Sequence, residues 1–349
     1  MESHCSAARN KMKSKATLPS VTSPSNFVRL LVIMSLTIAA FNLLRARELT
    51  SESAPLEIER GSKRFHTMIT SDGSSYQLWQ SRIMYYWYIN NRGPEMGGFT
   101  RILHSGRPDG YMHEIPTFVS QPVPNEDFLP LHRPYGVLQW LKQADIKEDY
   151  IFMSEPDHLI VRPIPNMATT NYGVAFPFLY MEPHLHQRVI KKHFPDGKLP
   201  RTRIEPIGNC PAILSKEALK KITPHWLSMS LSMRRDPETY QELGWILEMY
   251  AYAMASALNG YSYKLIDNFE VQAPFDKRLG EAYIVHYTYG LFYDSNGKNV
   301  EENGSVWGFD KRRYMYGPPM NLTLPPAGTP DIVVKMITML QDATSNIKL

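Results

Sequence analysis

The sequence predicts an α/β domain built on a mainly parallel sheet and preceded by one membrane-spanning helix. From Phe65 onward, apolar runs of strand length alternate with segments of helical periodicity, and this alternation is typical of parallel strands joined by helices. A charge-free apolar run lies near the amino terminus. The 349 residues, of which 43% are hydrophobic, suffice to bury one large core or two modest ones.

The amino-terminal part of the chain has the pattern of a signal anchor. Residues 1–29 are polar and basic, and the run Leu30–Leu44 carries no charge. Counting Phe27 and Val28, which lie beyond Arg29, and with Arg29 able to extend its charge toward the membrane surface, the segment approaches the lower limit of about 17 residues for a membrane-spanning helix. Basic residues ahead of it favour a cytosolic amino terminus, and a cleaved signal peptide is the alternative. We expect a cytosolic tail at 1–29, an anchor at 30–44, a stem at 45–64 and a lumenal domain at 65–349.

Charge and cysteine content narrow the possible classes of protein. The formal net charge is +4, and much of the basic excess lies in the amino-terminal tail, so no nucleic-acid groove and no nucleic-acid partner are predicted. The two cysteines, Cys5 and Cys210, fall on opposite sides of the proposed membrane and cannot form a disulfide with each other. Two glycosylation sequons, at Asn303 and Asn321, agree with lumenal exposure.

The first half of the domain predicts a repeated strand and helix pattern. Runs rich in β-branched and aromatic residues indicate strands, and apolar residues at helical spacing indicate helices. We expect strands at Phe65–Thr70, Phe99–Leu103 and Tyr150–Met153, and helices at Ser75–Asn90 and from Tyr135 to about Ala144. Ligands of such sheets collect beyond the carboxyl ends of the strands.

The stretch after the third of these strands carries the strongest chemical signal. In Ser154-Glu155-Pro156-Asp157-His158, three potential metal ligands occupy one turn. Proline cannot extend a ladder, so the strand should stop at Pro156 and leave both carboxylates on an exposed tip. Carboxylate oxygens suit the hard cation that a transferase needs to neutralise a nucleotide-sugar diphosphate. An acidic pair after a strand is also common in solvated turns.

The second half of the domain predicts further strands and helices by the same patterns. We expect extended segments at Leu159–Val161, Gly173–Pro177, Ile207–Leu214 and Ile284–Gly290, helices at Ser215–Ile222, Gly244 to about Leu258 and Asp331–Ala343, and a polar surface excursion at 182–203.

Two polar residues in these elements have alternative interpretations. Asn209 follows Gly208 and offers a donor and an acceptor to a sugar hydroxyl, or it belongs to an ordinary turn. Glu248 lies inside an apolar helical run. Because a buried carboxylate is costly unless it is paired, Glu248 is either a structural partner or a site residue.

Seven motifs occur in order along the domain: QSRIMYYWY (from Gln80), EMGGFTRILHSG (from Glu95), SEPDH, EPIGN (from Glu205), GWILEMYAYA (from Gly244), HYTYG (from His286) and FDKRRY (from Phe309). Together they resemble the plant hydroxyproline O-arabinosyltransferases, and the resemblance covers roughly residue 65 to the end. It implies a GT-A-like catalytic glycosyltransferase domain at 65–349, in a type II protein of the Golgi membrane.

The resemblance also implies a reaction. Enzymes of this family transfer L-arabinofuranose from UDP-β-L-arabinofuranose to hydroxyproline of secreted peptides or extensin-like wall proteins, with retention of configuration and with a divalent metal. Carboxylate and imidazole ligands favour Mn²⁺. Retention requires either a covalent intermediate on a carboxylate or a front-side displacement.

Roles for individual residues follow as hypotheses from the resemblance and the expected sheet. We expect Glu155, Asp157 and His286 to bind the metal and Glu248 to act in catalysis. We expect the donor nucleotide, phosphate and sugar to lie near His66, Thr67, Thr70, Arg82, Arg101 and Asn209.

The sequence departs from the family pattern in places. Ser81 and Leu291 stand where the pattern has cysteines, so a bond between those cysteines, if the relatives form it, is lost as a unit. The variant segments EPIGNCP and QAPFD bear on acceptor specificity. Two alternatives are therefore a peptidyl serine galactosyltransferase-like enzyme and a non-catalytic Golgi scaffold or glycan-binding relative.

Overall fold

Strands and helices alternate through most of the computed structural model, which describes residues 63–347. The strands are β1 (Phe65–Ser71), β2 (Met96–Leu103), β3 (Thr117–Val119), β4 (Tyr150–Met153), β5 (His158–Ile160), β6 (Tyr172–Pro177), β7 (Ile207–Ser215), β8 (Ser262–Leu265), β9 (Glu270–Val271), β10 (Ile284–His286), β11 (Leu291–Tyr293) and β12 (Trp307–Phe309). The α-helices are α1 (Ser75–Asn90), α2 (His132–Gln143), α3 (Gln187–Ile190), α4 (Lys216–Arg235), α5 (Pro237–Leu243), α6 (Leu247–Leu258) and α7 (Asp331–Asn346).

Seven strands form one mainly parallel sheet, as the sequence predicts. Their order is β3-β2-β1-β4-β7-β6-β8. Only β7 is antiparallel to its neighbours β4 and β6, and the other pairs in this sheet are parallel. The carboxyl ends of six strands and the amino end of β7 therefore meet at one edge, which we call the carboxyl edge.

Local sequence signals explain where the main helices begin. Ser74 caps α1 by accepting a hydrogen bond from the Gln77 amide, and Ser215 caps α4 in the same way, which satisfies amides that otherwise lack partners. The predicted bounds of α1 are confirmed. Helix α4 extends well beyond the predicted Ile222, because buried side chains continue at helical spacing through Trp226 and Met233.

The two faces of the sheet carry separate cores. In β4, Ile151 and Met153 pack with α2, α4 and α6, whereas Tyr150 and Phe152 pack with α1 on the other face. All four residues are buried. This matches a strand covered on both faces, whose sequence is a continuous apolar run rather than an alternating one.

Two small sheets extend the domain beyond the carboxyl edge. Strand β10 pairs antiparallel with β5 and parallel with β9, and β11 pairs antiparallel with β12. Helix α7 packs with α1 and with these strands in a third apolar cluster. Strand β10 ends at His286 and is therefore shorter than the predicted Ile284–Gly290.

Two expectations need separate comment. The predicted surface excursion at 182–203 is only partly superficial, because Val189, Ile190 and Phe194 are buried in the main core. Within residues 63–347, no helix combines the length and the apolar content that crossing a membrane requires. The proposed anchor at 30–44 lies outside the described residues.

Candidate metal and donor site

Four side chains with metal-ligating atoms meet just beyond β4. Glu155, Asp157 and His158 follow the strand, and His286 ends β10, where it lies opposite His158 in the β5–β10 ladder. One ligand atom from each of the four lies within 4.8 Å of the others. The long-range pairing of β5 with β10 therefore brings together the three predicted metal ligands, Glu155, Asp157 and His286.

Asp157 is the most strongly compensated carboxylate in this cluster. Its Oδ2 contacts the ammonium of Lys311 and lies 3.1 Å from His286 Nε2. Burial opposes its ionisation, but Lys311 and His286 outweigh burial and hold the pKa of Asp157 well below its usual range. The predicted exposed tip is wrong for Asp157, which is buried because β10 and the segment after β12 cover it.

Glu270, on β9, contacts the ring nitrogen of His286 that does not face Asp157. Its Oε1 lies 3.3 Å from His286 Nδ1, so the two nitrogens of His286 each face a carboxylate. Burial disfavours the charge on this imidazole, but Asp157 and Glu270 overcome it and raise the pKa of His286 to about 10. A carboxylate on the second nitrogen of a ligating histidine fixes the ring's orientation and its tautomer.

His158 has a different hydrogen-bonding pattern from His286. Its Nδ1 accepts from the Glu155 amide at 3.3 Å and lies 2.9 Å from Ser154 Oγ. Its Nε2 lies 3.4 Å from Glu270 Oε2. Burial lowers the pKa of His158. Because Nδ1 accepts from the Glu155 amide, His158 helps to hold the turn that carries the two carboxylates, and it remains one of the four residues able to bind a metal.

Arg133, in the first turn of α2, connects the cluster to the neighbouring strands. Its Nη2 lies 2.8 Å from Glu155 Oε1, and its Nε donates to Thr70 Oγ1 at 3.2 Å. Its Nη1 donates to Asn209 Oδ1 at 3.0 Å and lies 3.4 Å from Glu248 Oε2. One guanidinium therefore joins four residues that the sequence assigns to the site.

Glu248, in the first turn of α6, is buried and only partly paired. Its Oε2 faces Arg133, and its Oε1 has no hydrogen-bond partner within the described residues. Burial raises the pKa of Glu248 to about 7, against the opposing effect of Arg133. The carboxyl group is thus able to hold or release a proton near neutral pH.

The remaining donor-site candidates lie elsewhere in the fold. His66 is at the amino end of β1, opposite the carboxyl edge, and contacts Glu148 and Thr100. Thr67 is buried inside the same strand. Arg82 pairs with Glu114, and Arg101 pairs with Asp109. His66 and Thr67 therefore lie too early in β1 to reach the carboxyl edge, and Arg82 and Arg101 are paired with carboxylates outside the cluster.

Sequence patterns do not assign three residues of the site. Lys311 lies in the FDKRRY motif and Arg133 opens a predicted helix, so both were visible as cations near the site's elements. Glu270 lies on a strand of two residues, and a strand that short gives no periodic signal. Each of the three reaches the cluster through contacts distant in sequence.

The residues of the cluster fit a divalent cation. Glu155, Asp157 and His286 offer two carboxylates and one imidazole, a donor set that accommodates Mn²⁺. The three carboxylates Glu155, Asp157 and Glu270 are balanced by three cationic side chains, those of Arg133, His286 and Lys311. Binding of a cation by His286 would therefore require release of its proton.

Comparison with known proteins assigns the family. Residues 65–265 match the model of the hydroxyproline O-arabinosyltransferase family N-terminal domain, and residues 283–349 match that of the C-terminal domain. Hydroxyproline O-arabinosyltransferase 1 of Arabidopsis thaliana is 52% identical over 292 residues, which cover 81% of this chain and 80% of that protein.

Similarity also extends to a second member of this family and, more weakly, to a different enzyme. Hydroxyproline O-arabinosyltransferase 2 of Arabidopsis thaliana is 46% identical, over 89% of this chain and 95% of its own length. The peptidyl serine alpha-galactosyltransferase of the same species is only 22% identical, over 75% of this chain and 33% of its own length. The chain belongs to the hydroxyproline O-arabinosyltransferase family.

Proposed function

We propose that this protein is a metal-dependent glycosyltransferase that moves L-arabinofuranose from UDP-β-L-arabinofuranose to hydroxyproline in secreted peptides or extensin-like wall proteins. Family membership supports the transferred sugar and the acceptor residue. The observation that carries the proposal is the cluster of Glu155, Asp157 and His286 at the carboxyl edge, where ligands of parallel sheets bind.

The strand order supports a GT-A-like assignment of the domain. Six parallel strands and one reversed strand place β4 at the centre of the sheet, and the acidic turn leaves it directly. Glu155 and Asp157 then correspond to the two acidic residues of the DxD motif of GT-A glycosyltransferases, with glutamate in place of the first aspartate. A cation bound by these residues and His286, Mn²⁺ in our proposal, would neutralise charge on the leaving diphosphate.

The side chains around Arg133 support donor binding beside the cluster. Thr70 and Asn209 converge on its guanidinium, so polar groups suited to sugar or phosphate lie close to Glu155. Lys311 supplies a further cation next to Asp157, and a cation at this position would stabilise negative charge that develops on the leaving group.

We further propose that the reaction retains configuration. Glu248 is our candidate for the carboxylate that acts in catalysis, because it is buried, has one unpaired oxygen and has a pKa raised to about 7. Two routes are available: a covalent intermediate on a carboxylate, or a front-side displacement in which the leaving phosphate takes the acceptor proton.

For the cellular setting, we propose a type II protein of the Golgi membrane with a lumenal catalytic domain. The charge-free run at 30–44, behind a basic tail, supports this topology. In the lumen, the sequon residues Asn303 and Asn321 would be accessible, because both are exposed on the domain surface.

Acceptor and donor competition tests the proposed function. The purified full-length chain is incubated with either UDP-β-L-arabinofuranose or UDP-galactose, and with matched peptides that carry hydroxyproline, proline or serine at one position. We expect pentose addition, measured by mass spectrometry, only on the hydroxyproline peptide. Galactose addition to serine would replace the proposal with the serine galactosyltransferase alternative, and no transfer of either sugar would favour the scaffold alternative.

A further inference from the structure

A row of aromatic side chains borders the metal cluster and is only partly covered by the protein. The row consists of Tyr180, Tyr289 and Phe275, and Tyr180 packs against the buried ring of Phe178. The rings of Phe178 and Tyr180 lie 5.2 Å apart, and those of Phe275 and Tyr289 lie 5.1 Å apart at nearly right angles. Tyr289 and Glu155 contribute, after burial, to raising the pKa of Tyr180, so Tyr180 lies within electrostatic range of both.

The segments that carry this aromatic row also build the site. Tyr289 follows His286 by three residues, and Phe275 follows Glu270 by five. Phe178 and Tyr180 lie just beyond β6, at the carboxyl edge. A ligand resting on the row would therefore lie directly beside the cluster.

The backbone around the row is held in place. The Phe178 amide donates to the Pro206 carbonyl at 2.8 Å, and the Glu182 amide donates to the Tyr250 hydroxyl at 2.9 Å. On the other side, the Gln272 amide donates to Asp276 Oδ2 at 2.7 Å. These bonds flank the exposed rings on both sides and hold their backbone in place, so the protein loses less entropy when a partner binds.

The exposure of these side chains has no explanation within the fold. Phe275 is 72% exposed, Tyr180 is 40% exposed, and the neighbouring Leu179 is 96% exposed. Clustered exposed apolar groups of this kind mark interaction sites more often than isolated ones do. Tyrosine adds a hydroxyl that hydrogen-bonds a polar ligand while its ring packs against an apolar one.

We propose that the aromatic row binds the acceptor polypeptide as a polyproline II helix, on either side of the hydroxyproline that reacts. The inference rests on the proposed function, which requires a hydroxyproline at the cluster. Proline and hydroxyproline have no backbone N–H, so such a segment cannot dock by adding a strand to the sheet. Polyproline II segments instead dock on exposed aromatic rings, which contact their pyrrolidine rings.

The spacing of the rings suits this ligand. A polyproline II helix rises about 3.1 Å per residue, so the accessible pair Phe275 and Tyr289, with ring centroids 5.1 Å apart, spans roughly two residues. Carbonyl oxygens on such a helix have no internal partner, and the hydroxyls of Tyr180 and Tyr289 are donors of the kind that they require.

A second aromatic groove provides a matched comparison. It has a volume of about 840 Å³ and is lined by residues that include Tyr85, Tyr86, Ile89 and Tyr111. Ile89 lies near the end of α1, which starts after β1 at the carboxyl edge and returns toward the start of β2. This groove therefore lies toward the opposite edge of the sheet, and a peptide held only there would not bring its hydroxyproline to the cluster.

The test measures peptide binding separately from transfer. A fluorescein-labelled peptide with a run of hydroxyprolines is titrated with full-length wild type, Phe275→Ser and Ile89→Ser, with fluorescence anisotropy as the readout. Ile89 is 46% exposed, so both substitutions remove an exposed apolar side chain. We expect the Kd to rise about tenfold for Phe275→Ser, as for an aromatic hot spot, and to remain unchanged for Ile89→Ser.

Transfer kinetics supply the second readout. With the same peptide, Phe275→Ser should raise KM by a larger factor than it lowers kcat, and the effect should shrink with a flexible glycine-spaced acceptor. An unchanged Kd for Phe275→Ser, or an equal loss for Ile89→Ser, would overturn the inference. If the wild type binds the peptide through Phe275 but transfers no arabinose, the aromatic row stands and the proposed function fails.

Discussion

Glu248→Gln is the substitution that best separates a structural from a catalytic role for the buried carboxylate on α6. Glutamine keeps the size of the side chain but cannot ionise. Arg133 would retain its contacts with Glu155, Asn209 and Thr70, so the variant leaves no uncompensated charge. The substitution therefore isolates the free energy of the ionised carboxylate itself.

The expected magnitude follows from the pKa of Glu248, which burial raises from 4.5 to about 7. One pKa unit corresponds to about 1.36 kcal/mol, so ionisation in the folded state disfavours folding by roughly 3 kcal/mol. Because the folded-state pKa is the higher one, the stabilising contribution is complete below pH 4.5. It is lost as the pH rises through about 7.

The assay compares the free energy of unfolding of wild type and Glu248→Gln at several pH values. The difference between the two proteins should shift in favour of the variant by up to about 3 kcal/mol between acidic and mildly basic pH. Glu281→Gln, at a side chain that is 85% exposed, serves as the surface control. Single-turnover transfer is measured on the same preparations.

Two results would refute this account of Glu248. A difference in unfolding free energy that does not change with pH would mean that the carboxylate is not held with a raised pKa. Near-normal turnover in the glutamine variant would remove Glu248 from catalysis, because an interaction made only in the transition state must lower kcat when it is lost.

Three further predictions concern the cluster and the topology. Without metal, Asp157→Asn should lower the free energy of unfolding by about 3–5 kcal/mol, because it leaves Lys311 buried and unpaired. In denaturant titrations, the double variant Asp157→Asn/Lys311→Met should recover this stability, although it should not recover transfer. A double variant as unstable as Asp157→Asn would contradict the pairing of Asp157 with Lys311. Glu270→Gln should weaken Mn²⁺ binding by about 10–100-fold, measured by calorimetry, and an unchanged affinity would remove its supporting role. If Asn303 or Asn321 carries a glycan, endoglycosidase treatment of microsomes should increase the electrophoretic mobility of the protein. If protease added outside the vesicles digests the carboxyl-terminal domain, the lumenal topology is contradicted.

Parts of the fold and site follow directly from sequence patterns. The apolar run Tyr150–Met153 predicts the central strand because both its faces are buried, and the aromatic spacing predicts α1 with its observed bounds. The rule that ligands bind beyond the carboxyl ends of parallel strands locates the acidic turn correctly. These inferences depend on local periodicity and on one topological rule.

Other parts of the site depend on contacts that sequence patterns do not encode. Asp157 is buried by Lys311, which is 154 residues away in the chain. Glu270 reaches His286 through the β9–β10 pairing, and neither strand is long enough to show a period. His66 is the second residue of β1, so the rule that ligands bind beyond the carboxyl ends of strands already argues against its predicted role, and the structure places it at the end far from the site.

The measurement that tests the central claim most directly is the effect of metal on arabinose transfer by matched proteins. Wild type and His286→Ala are assayed for transfer to a hydroxyproline peptide, first in excess chelator and then across a Mn²⁺ titration. If Glu155, Asp157 and His286 hold the cation, wild-type transfer should vanish in chelator and return with Mn²⁺, and His286→Ala should need a higher Mn²⁺ concentration. Undiminished wild-type transfer in chelator would contradict the claim.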